Sequence, residues 1–160
     1  MSGFAGMVRF RPTSGSVQQH AIWSLAFAGK TELGARDAIS GQVTTGSGVG
    51  RFRGATVASF DESGTLRPID AVGVVASYDH AWSGRFTSNA SYGWASVDTS
   101  GERTADPTRS GTYATANLLW WFLPDRAWFG GEYLFGRREV ASGRTGQASR
   151  VQFAFKFFIP

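Results

Sequence analysis

Apolar and polar residues alternate at every second position along much of this chain, and this alternation constrains its fold more than any other feature. The final stretch "SRVQFAFKFFIP" puts Val151, Phe153 and Phe155 on one side of an extended chain, and Arg150 and Gln152 on the other. A period of two is typical of a β-strand with one apolar face, because a helix repeats every 3.6 residues. The sequence therefore predicts an all-β fold.

Eight segments carry this alternation, each close to the roughly 9–11 residues with which a tilted strand crosses a membrane. The connections between them alternate in length, short at 29–37, 82–85 and 122–126, and long at 12–19, 46–70, 98–111 and 139–148. This pattern is typical of outer-membrane barrels, in which short turns lie on the periplasmic side and long loops outside. We therefore predict a transmembrane antiparallel up-and-down β-barrel of about eight strands. The predicted strands are 3–11, 20–30, 37–45, 72–82, 85–97, 112–122, 127–138 and 149–159.

Composition narrows the class further. A length of 160 residues predicts one domain over 1–160, and the absence of cysteine excludes disulfides and thiolate metal sites. The longest apolar run, "LLWWFL" at 118–123, is far shorter than the roughly 20 residues of a membrane helix. The formal net charge is +4, but the basic residues are scattered singly, which disfavours binding to nucleic acid. The start lacks a secretory signal pattern, so for an exported protein we expect a mature piece or a fragment.

Aromatic residues gather at the short-turn ends of several predicted strands. Amphipathic rings at one level are typical of the interfacial girdle of a membrane barrel, whereas a soluble core would spread them along the strands. We therefore expect the apolar side of the final strand to face lipid. The predicted girdle and lipid-facing residues are Trp82, Trp120, Trp128, Phe129, Tyr133, Phe153, Phe155 and Phe157.

The stretch from "TYATANLLWWFLPDR" to "SRVQFAFKF" resembles the C-terminal part of Gram-negative outer-membrane porins of the DcaP-like family, and "GVGRF" and "SYDHAWSGRFTSNASYGWASVD" extend the likeness over most of the chain. The resemblance implies a water-filled barrel that assembles as a homotrimer and passes small anionic solutes. Porins of this type have about 16 strands, so we expect this chain to be the C-terminal half of one. Ile159 stands near the end, where the family usually has a final aromatic residue. The residues that carry the resemblance are Asn117, Pro124, Glu132, Tyr133, Gly136, Arg137, Arg138, Arg150, Val151, Gln152 and Phe153.

Several basic residues fall on the side of the strands opposite the aromatics or in the long 46–70 loop. Cations along a lumen wall would attract anions, whereas in a closed eight-stranded barrel they would instead pair with acids such as Glu132 or Asp79. The loop is long enough to fold into a pore, although an exterior loop is the favoured interpretation. The candidate lumen and selectivity residues are Arg9, Arg11, Arg51, Arg53, Glu132, Arg138, Arg150 and Lys156.

The sequence predicts no enzyme, cofactor or metal site. The histidines, His20 and His80, form no recognisable metal motif, and no Ser/His/acid set can be assembled from sequence alone. The predicted function is passive diffusion of small hydrophilic solutes across the outer membrane of a Gram-negative bacterium. The predicted partners are outer-membrane lipid, small anionic solutes, and the barrel assembly machinery, which would read the C-terminal strand. Two alternatives stay open, a closed eight-stranded barrel serving as anchor or adhesion module, and a soluble β-barrel that binds a ligand.

Overall fold

A computed structural model describes residues 1–13, 15–48, 58–61, 63–99 and 106–158. The described chain is built from β-strands joined by turns and loops. Within those ranges no helix is long and apolar enough to cross a membrane. The strands in chain order are β1 (Ser2–Phe10), β2 (Gln18–Leu33), β3 (Asp37–Ser47), β4 (Ala58–Phe60), β5 (Leu66–Pro68), β6 (Asp70–Ala81), β7 (Phe86–Val97), β8 (Thr108–Leu123), β9 (Ala127–Val140) and β10 (Thr145–Phe157).

Eight of the strands form one antiparallel sheet in the order β1-β2-β3-β6-β7-β8-β9-β10. Each long strand pairs with the next one along the chain, so the predicted all-β, up-and-down arrangement of eight strands is confirmed. The sheet is open, and β1 and β10 are its two edges.

The connections differ from the prediction at two places. The predicted long loop at 139–148 is a four-residue turn, because β9 and β10 stay paired up to Glu139 and Thr145. The turn is closed by a hydrogen bond from the Val140 amide to the Arg144 carbonyl (3.0 Å), with Gly143 at a φ of 81°. The loop at 46–70 contains a small hairpin, β4–β5, that was not predicted. Strands of three residues are too short for alternation to reveal them.

The sheet is a single layer with very little core. Among the described residues only six apolar side chains are buried, and no polar or charged side chain is. The accessible surface is 10752 Å², whereas a soluble protein of this mass exposes about 7,800 Å². A soluble sandwich or barrel would cover its large apolar side chains, so this sheet lacks the second layer that such folds need.

The two faces of the sheet differ strongly in composition. Directly paired residues of neighbouring strands point to the same side, so the register fixes which side chains share a face. We call the side of Arg150, Gln152 and Lys156 the polar face, and the side of Phe153 and Phe155 the apolar face. On β10 the apolar side chains are largely exposed in the isolated chain, Phe153 at 71% and Phe155 at 64%.

Candidate functional site

A row of polar side chains crosses the polar face from β2 to β10. We call it the polar row, and it consists of directly paired residues of seven consecutive strands in the sheet. Because the alternation puts polar side chains on this face of each strand, the register alone aligns them at one level. The polar members are Glu32, Asp79, Asn89, Asn117, Glu132 and Gln152, and the β3 position is taken by Ala38.

Hydrogen bonds connect most of the polar row. Asn89 donates through Nδ2 to Asp79 Oδ1 (2.7 Å), and its backbone amide donates to Asn117 Oδ1 (3.0 Å). At the β10 edge, Gln152 donates through its side-chain amide to Glu132. The side chains are thereby held in fixed orientations on a surface that water can reach. Such a row can exchange hydrogen bonds with a passing hydrophilic solute.

A second row on the same face lies two residues away from the polar row along each strand, and it carries a positive charge at both ends. Lys30 on β2 stands 3.9 Å from Asp79, and Arg150 lies at the β10 end. Between them, the hydroxyls of Ser77 and Ser91 are 2.7 Å apart. The acidic side chains therefore lie in the polar row, and Lys30 and Arg150 lie in the row next to it.

The polar face carries nearly balanced charge. Among the residues paired in the register of the long strands, this face holds four basic and three acidic side chains, a net charge of +1; Arg109 lies at a bulge of β8 and is not included. Arg138 and Lys156 lie on this face toward the long-loop and short-turn ends of their strands, and Lys156 Nζ is 4.5 Å from the centre of the Phe158 ring. The seven charged residues are Lys30, Glu32, Asp79, Glu132, Arg138, Arg150 and Lys156.

The middle of the apolar face carries no charge among the described residues. One complete row runs from Thr31 through Tyr78 and Tyr133 to Val151, without an ionisable acid or base other than the tyrosines. Toward the short turns, aromatic rings contact each other across β7 to β10. The distances between ring centres on this face are 6.5 Å for Phe86–Trp120, 5.7 Å for Trp120–Phe122, 5.8 Å for Phe122–Phe155 and 6.2 Å for Phe129–Phe153.

Asp37 and His80 meet on the apolar face at its short-turn end. His80 Nδ1 is 2.6 Å from Asp37 Oδ1, and the Tyr78 hydroxyl donates to the same oxygen at 2.5 Å. His80 lies on the side of Tyr78 and Trp82, as the alternation predicts. Ser88 pairs with His80 across β6 and β7, and its hydroxyl accepts from the Trp82 indole N–H (3.0 Å). Polar atoms among rings at a strand end suit the boundary between water and lipid headgroups.

Two of the candidate residues lie on the face opposite to the other members of their predicted group. Arg9 was assigned to the lumen side, but the register places it on the apolar face, where its guanidinium donates to Gln19 (3.2 Å). It lies at the long-loop end of β1, where both faces carry polar residues. Trp128 was grouped with the girdle by its level alone, but it pairs with Lys156 on the polar face. There its ring contacts that of Trp121 at 6.5 Å.

The other candidates have defined positions. Glu132, Arg138, Arg150 and Lys156 lie together on the polar face, whereas Arg11 follows β1 in the connection to β2. Arg51 and Arg53 lie outside the described residues. No group of three or more metal-binding side chains occurs within the described ranges. Of the predicted girdle residues, those on the apolar face side are Trp82, Trp120, Phe129, Tyr133, Phe153, Phe155 and Phe157.

The β4–β5 hairpin folds back onto the polar-face side of β1 and β2 at their long-loop ends. The ring of Phe60 meets that of Phe10 edge-on at 4.8 Å. Gln18 donates to the Gly64 carbonyl (3.1 Å) and accepts from the Leu66 amide (2.6 Å). The hairpin thus occupies the long-loop end of the face that holds the polar row.

Asp61 holds the hairpin turn together. The Ser63 hydroxyl and the Thr65 amide donate to Oδ1, and Arg67 Nε donates to Oδ2 at 2.8 Å. These bonds, the Ser63 hydroxyl first, lower the pKa of Asp61 to about 2. They stabilise the ionised carboxylate and therefore the folded turn.

We expect the hairpin turn to loosen in acid. The pKa of Asp61 in the folded turn lies below its ordinary value of 3.8. The stabilisation is therefore complete above the ordinary pKa and is lost as pH falls toward about 2. Hydrogen-exchange protection of the Ser63 and Thr65 amides should decrease from pH 5 to about pH 2 in the wild type. In Asp61→Asn this protection should be weaker and independent of pH, and an unchanged wild-type protection factor across this range would contradict the assignment.

Comparison with known proteins supports the architecture. No model of a known protein family matches the chain, and no functionally curated protein sequence matches it either. Among solved structures it is similar to the outer membrane channel DcaP of Acinetobacter baumannii, with a TM-score of 0.75 at 15% sequence identity. The similarity covers 88% of this chain and 41% of that chain. The chain thus has a porin-like fold and spans about two fifths of the length of the channel it matches.

Proposed function

We propose that this chain forms part of the wall of an outer-membrane channel through which small hydrophilic solutes diffuse passively. The observation that carries the proposal is the contrast between the two faces of a single-layer sheet. A polar row linked by hydrogen bonds lies on one face, and the row from Thr31 to Val151 in the middle of the other face carries no charge. A sheet of this kind fits a boundary between water and lipid, because only there is each face matched by its surroundings.

Lipid is the proposed environment of the apolar face. Val151, Phe153 and Phe155 expose more than half of their surface in the isolated chain. In water, that exposure would cost about 25 cal/mol of free energy for each square ångström of apolar surface. Contact with acyl chains removes this cost, and the rings near the short turns would lie among the headgroups. The same reasoning supports an outer-membrane location, which the fold of DcaP also favours.

Solute preference follows from the polar face. Lys30, Arg138, Arg150 and Lys156 give it an excess of one positive charge over the three acids. A weak preference for small anions is therefore proposed, because rings of like charge in a pore set ion selectivity. Diffusion through such a lumen involves no chemical step. Trimeric assembly, and recognition of β10 by the barrel assembly machinery, stay predictions of the resemblance.

Planar-bilayer recording tests the proposal. Purified chain added to a lipid bilayer should give stepwise conductance increases, with a reversal potential in a KCl gradient that indicates weak anion preference. The closed eight-stranded anchor would insert without conductance, because a barrel of this width is filled by its own side chains. A chain that stays folded and monomeric in water without detergent would contradict both membrane interpretations and favour the soluble barrel.

A further inference from the structure

Four apolar side chains, three of them aromatic, lie together on the polar face at its short-turn end. We call them the aromatic patch, and its members are Leu119, Trp121, Trp128 and Phe158. The centre of the Trp121 ring lies 6.5 Å from that of Trp128 and 6.5 Å from that of Phe158. The planes of Trp121 and Phe158 are nearly parallel, at 8°. The aromatic patch therefore fills the polar face between the polar row and the short turns.

Hydrogen bonds and packing hold the aromatic patch in place. Trp121 donates through Nε1 to the Thr87 hydroxyl (3.3 Å), and the Phe158 amide donates to the Arg126 carbonyl (2.8 Å). The Leu119 side chain lies over Gly130 so closely that a Cβ at this glycine would have no room. The rings are thus presented in fixed positions on the wall.

Water reaches the aromatic patch. Phe158 exposes 40% of its surface, and Trp121 and Trp128 are half-buried. Aromatic carbon in contact with water costs about 25 cal/mol of free energy for each square ångström. A solute with an apolar side would remove part of this cost while it lies on the rings. The aromatic patch can therefore retain a solute that a wholly polar wall would not.

Groups that exchange hydrogen bonds lie next to the aromatic patch. The polar row is four positions from Trp128 and Lys156 along β9 and β10, a distance of about 13 Å along the strand. The amides of Asn117 and Gln152 in this row both donate and accept hydrogen bonds, as a hydroxyl does. Among the paired residues of β7 to β10 from the polar row to the short turns, the charged side chains are Glu132 and Lys156, and their charges cancel. These surroundings favour an uncharged solute with several hydroxyls.

From these features we infer that the aromatic patch is a binding subsite for neutral sugars in the lumen. A pyranose ring has a flat side of C–H groups, which would pack on the rings of Trp121 and Phe158. The hydroxyls at its edge would exchange hydrogen bonds with Lys156 and the amides of the polar row. The inference rests on the proposed channel function, and it names a class of solute that the channel would retain during passage.

Saturation-transfer NMR of the detergent-folded chain tests the inference, with maltose as the probe. We expect saturable transfer to the ring protons of maltose. Sorbitol, an open-chain polyol, is the control solute and should receive little transfer, because it offers hydroxyls without a fixed apolar side. Trp121→Leu should weaken maltose binding about fivefold, as expected for the loss of one stacked ring. Trp121→Phe keeps a ring at this position and should retain most of the affinity.

Trp120→Leu is the matched control variant. Trp120 directly precedes Trp121, but it lies on the apolar face, where it pairs with Phe86 and Phe129. The same change of side chain on the opposite face should leave maltose binding as in the wild type. Protease resistance of each variant in detergent verifies that it is folded.

Three results would overturn the inference. They are a folded wild-type protein without saturable transfer to maltose, equal transfer to sorbitol, and equal weakening by Trp120→Leu and Trp121→Leu. These measurements do not require conductance, so each of the three results would leave the proposed channel standing. An absence of conductance in planar bilayers contradicts the proposed function separately.

Discussion

Val151→Arg is expected to destabilise the membrane-inserted protein by about 2–4 kcal/mol, the cost of an arginine on the lipid face of a barrel near the bilayer midplane. Val151 lies near the middle of β10, in the row that runs to Tyr133 and Ala116 without charge. Its side chain is 62% exposed in the isolated chain, so an arginine fits sterically. The loss would therefore report on the surroundings rather than on packing.

Gln152→Arg is the matched control on the neighbouring position. Gln152 lies on the opposite face and donates to Glu132, so an arginine there would face a carboxylate and water. We expect little change in its free energy of unfolding. Urea unfolding of vesicle-inserted protein, followed by tryptophan fluorescence, measures both variants. Equal destabilisation of the two variants, or a stable Val151→Arg protein, would show that lipid does not cover the apolar face.

Arg138→Glu is expected to invert the ion selectivity of the channel. Arg138 lies on the polar face, paired with Gly111 and Gly146, so no large side chain directly opposite shields it from the lumen. The substitution changes the net charge of the seven paired charged residues of the polar face from +1 to −1, because one cation becomes an anion. Cations should then pass more readily than anions, and the reversal potential in a KCl gradient should change sign.

Arg137→Glu provides the control for this prediction. Arg137 is the preceding residue of β9 and pairs with Thr112 and Gln147 on the apolar face, at the long-loop end. The same change of charge occurs there at nearly the same level, but outside the lumen. Its reversal potential should stay close to that of the wild type. A shift of similar size in both variants would mean that surface charge at the pore mouth, and not the polar face, determines selectivity.

Much of the fold could be predicted from the sequence, because the alternation of apolar and polar residues depends on local strand geometry. The eight long strands follow it closely, and the turn "WSGR" at 82–85 was located from residue type alone. The β4–β5 hairpin escaped because its strands are too short. Residue type misleads on β1 because its large apolar side chains Phe4, Val8 and Phe10 lie on the polar face, whereas Arg9 lies on the apolar face.

Only part of the candidate site could be predicted from the sequence, because a row of residues across a sheet depends on how the strands pair. Alternation places Asp79 and Glu132 on the polar face, but it does not say that they lie at one level with Asn89 and Asn117 between them. The contact between Asp37 and His80 spans 43 positions of sequence and likewise needs the pairing of β3 with β6. Pairing register arises from the whole sheet, so local sequence cannot supply it.

The most direct test of the account is the pattern of water access along β10. Single cysteines at positions 150 to 155 can be introduced one at a time, since the chain contains none. Vesicle-inserted protein is then treated with a water-soluble, membrane-impermeant maleimide. We expect rapid labelling at 150, 152 and 154 and slow labelling at 151, 153 and 155, because the proposed function places the first set in the lumen and the second against lipid. Uniform labelling, or labelling of the odd positions alone, would contradict it.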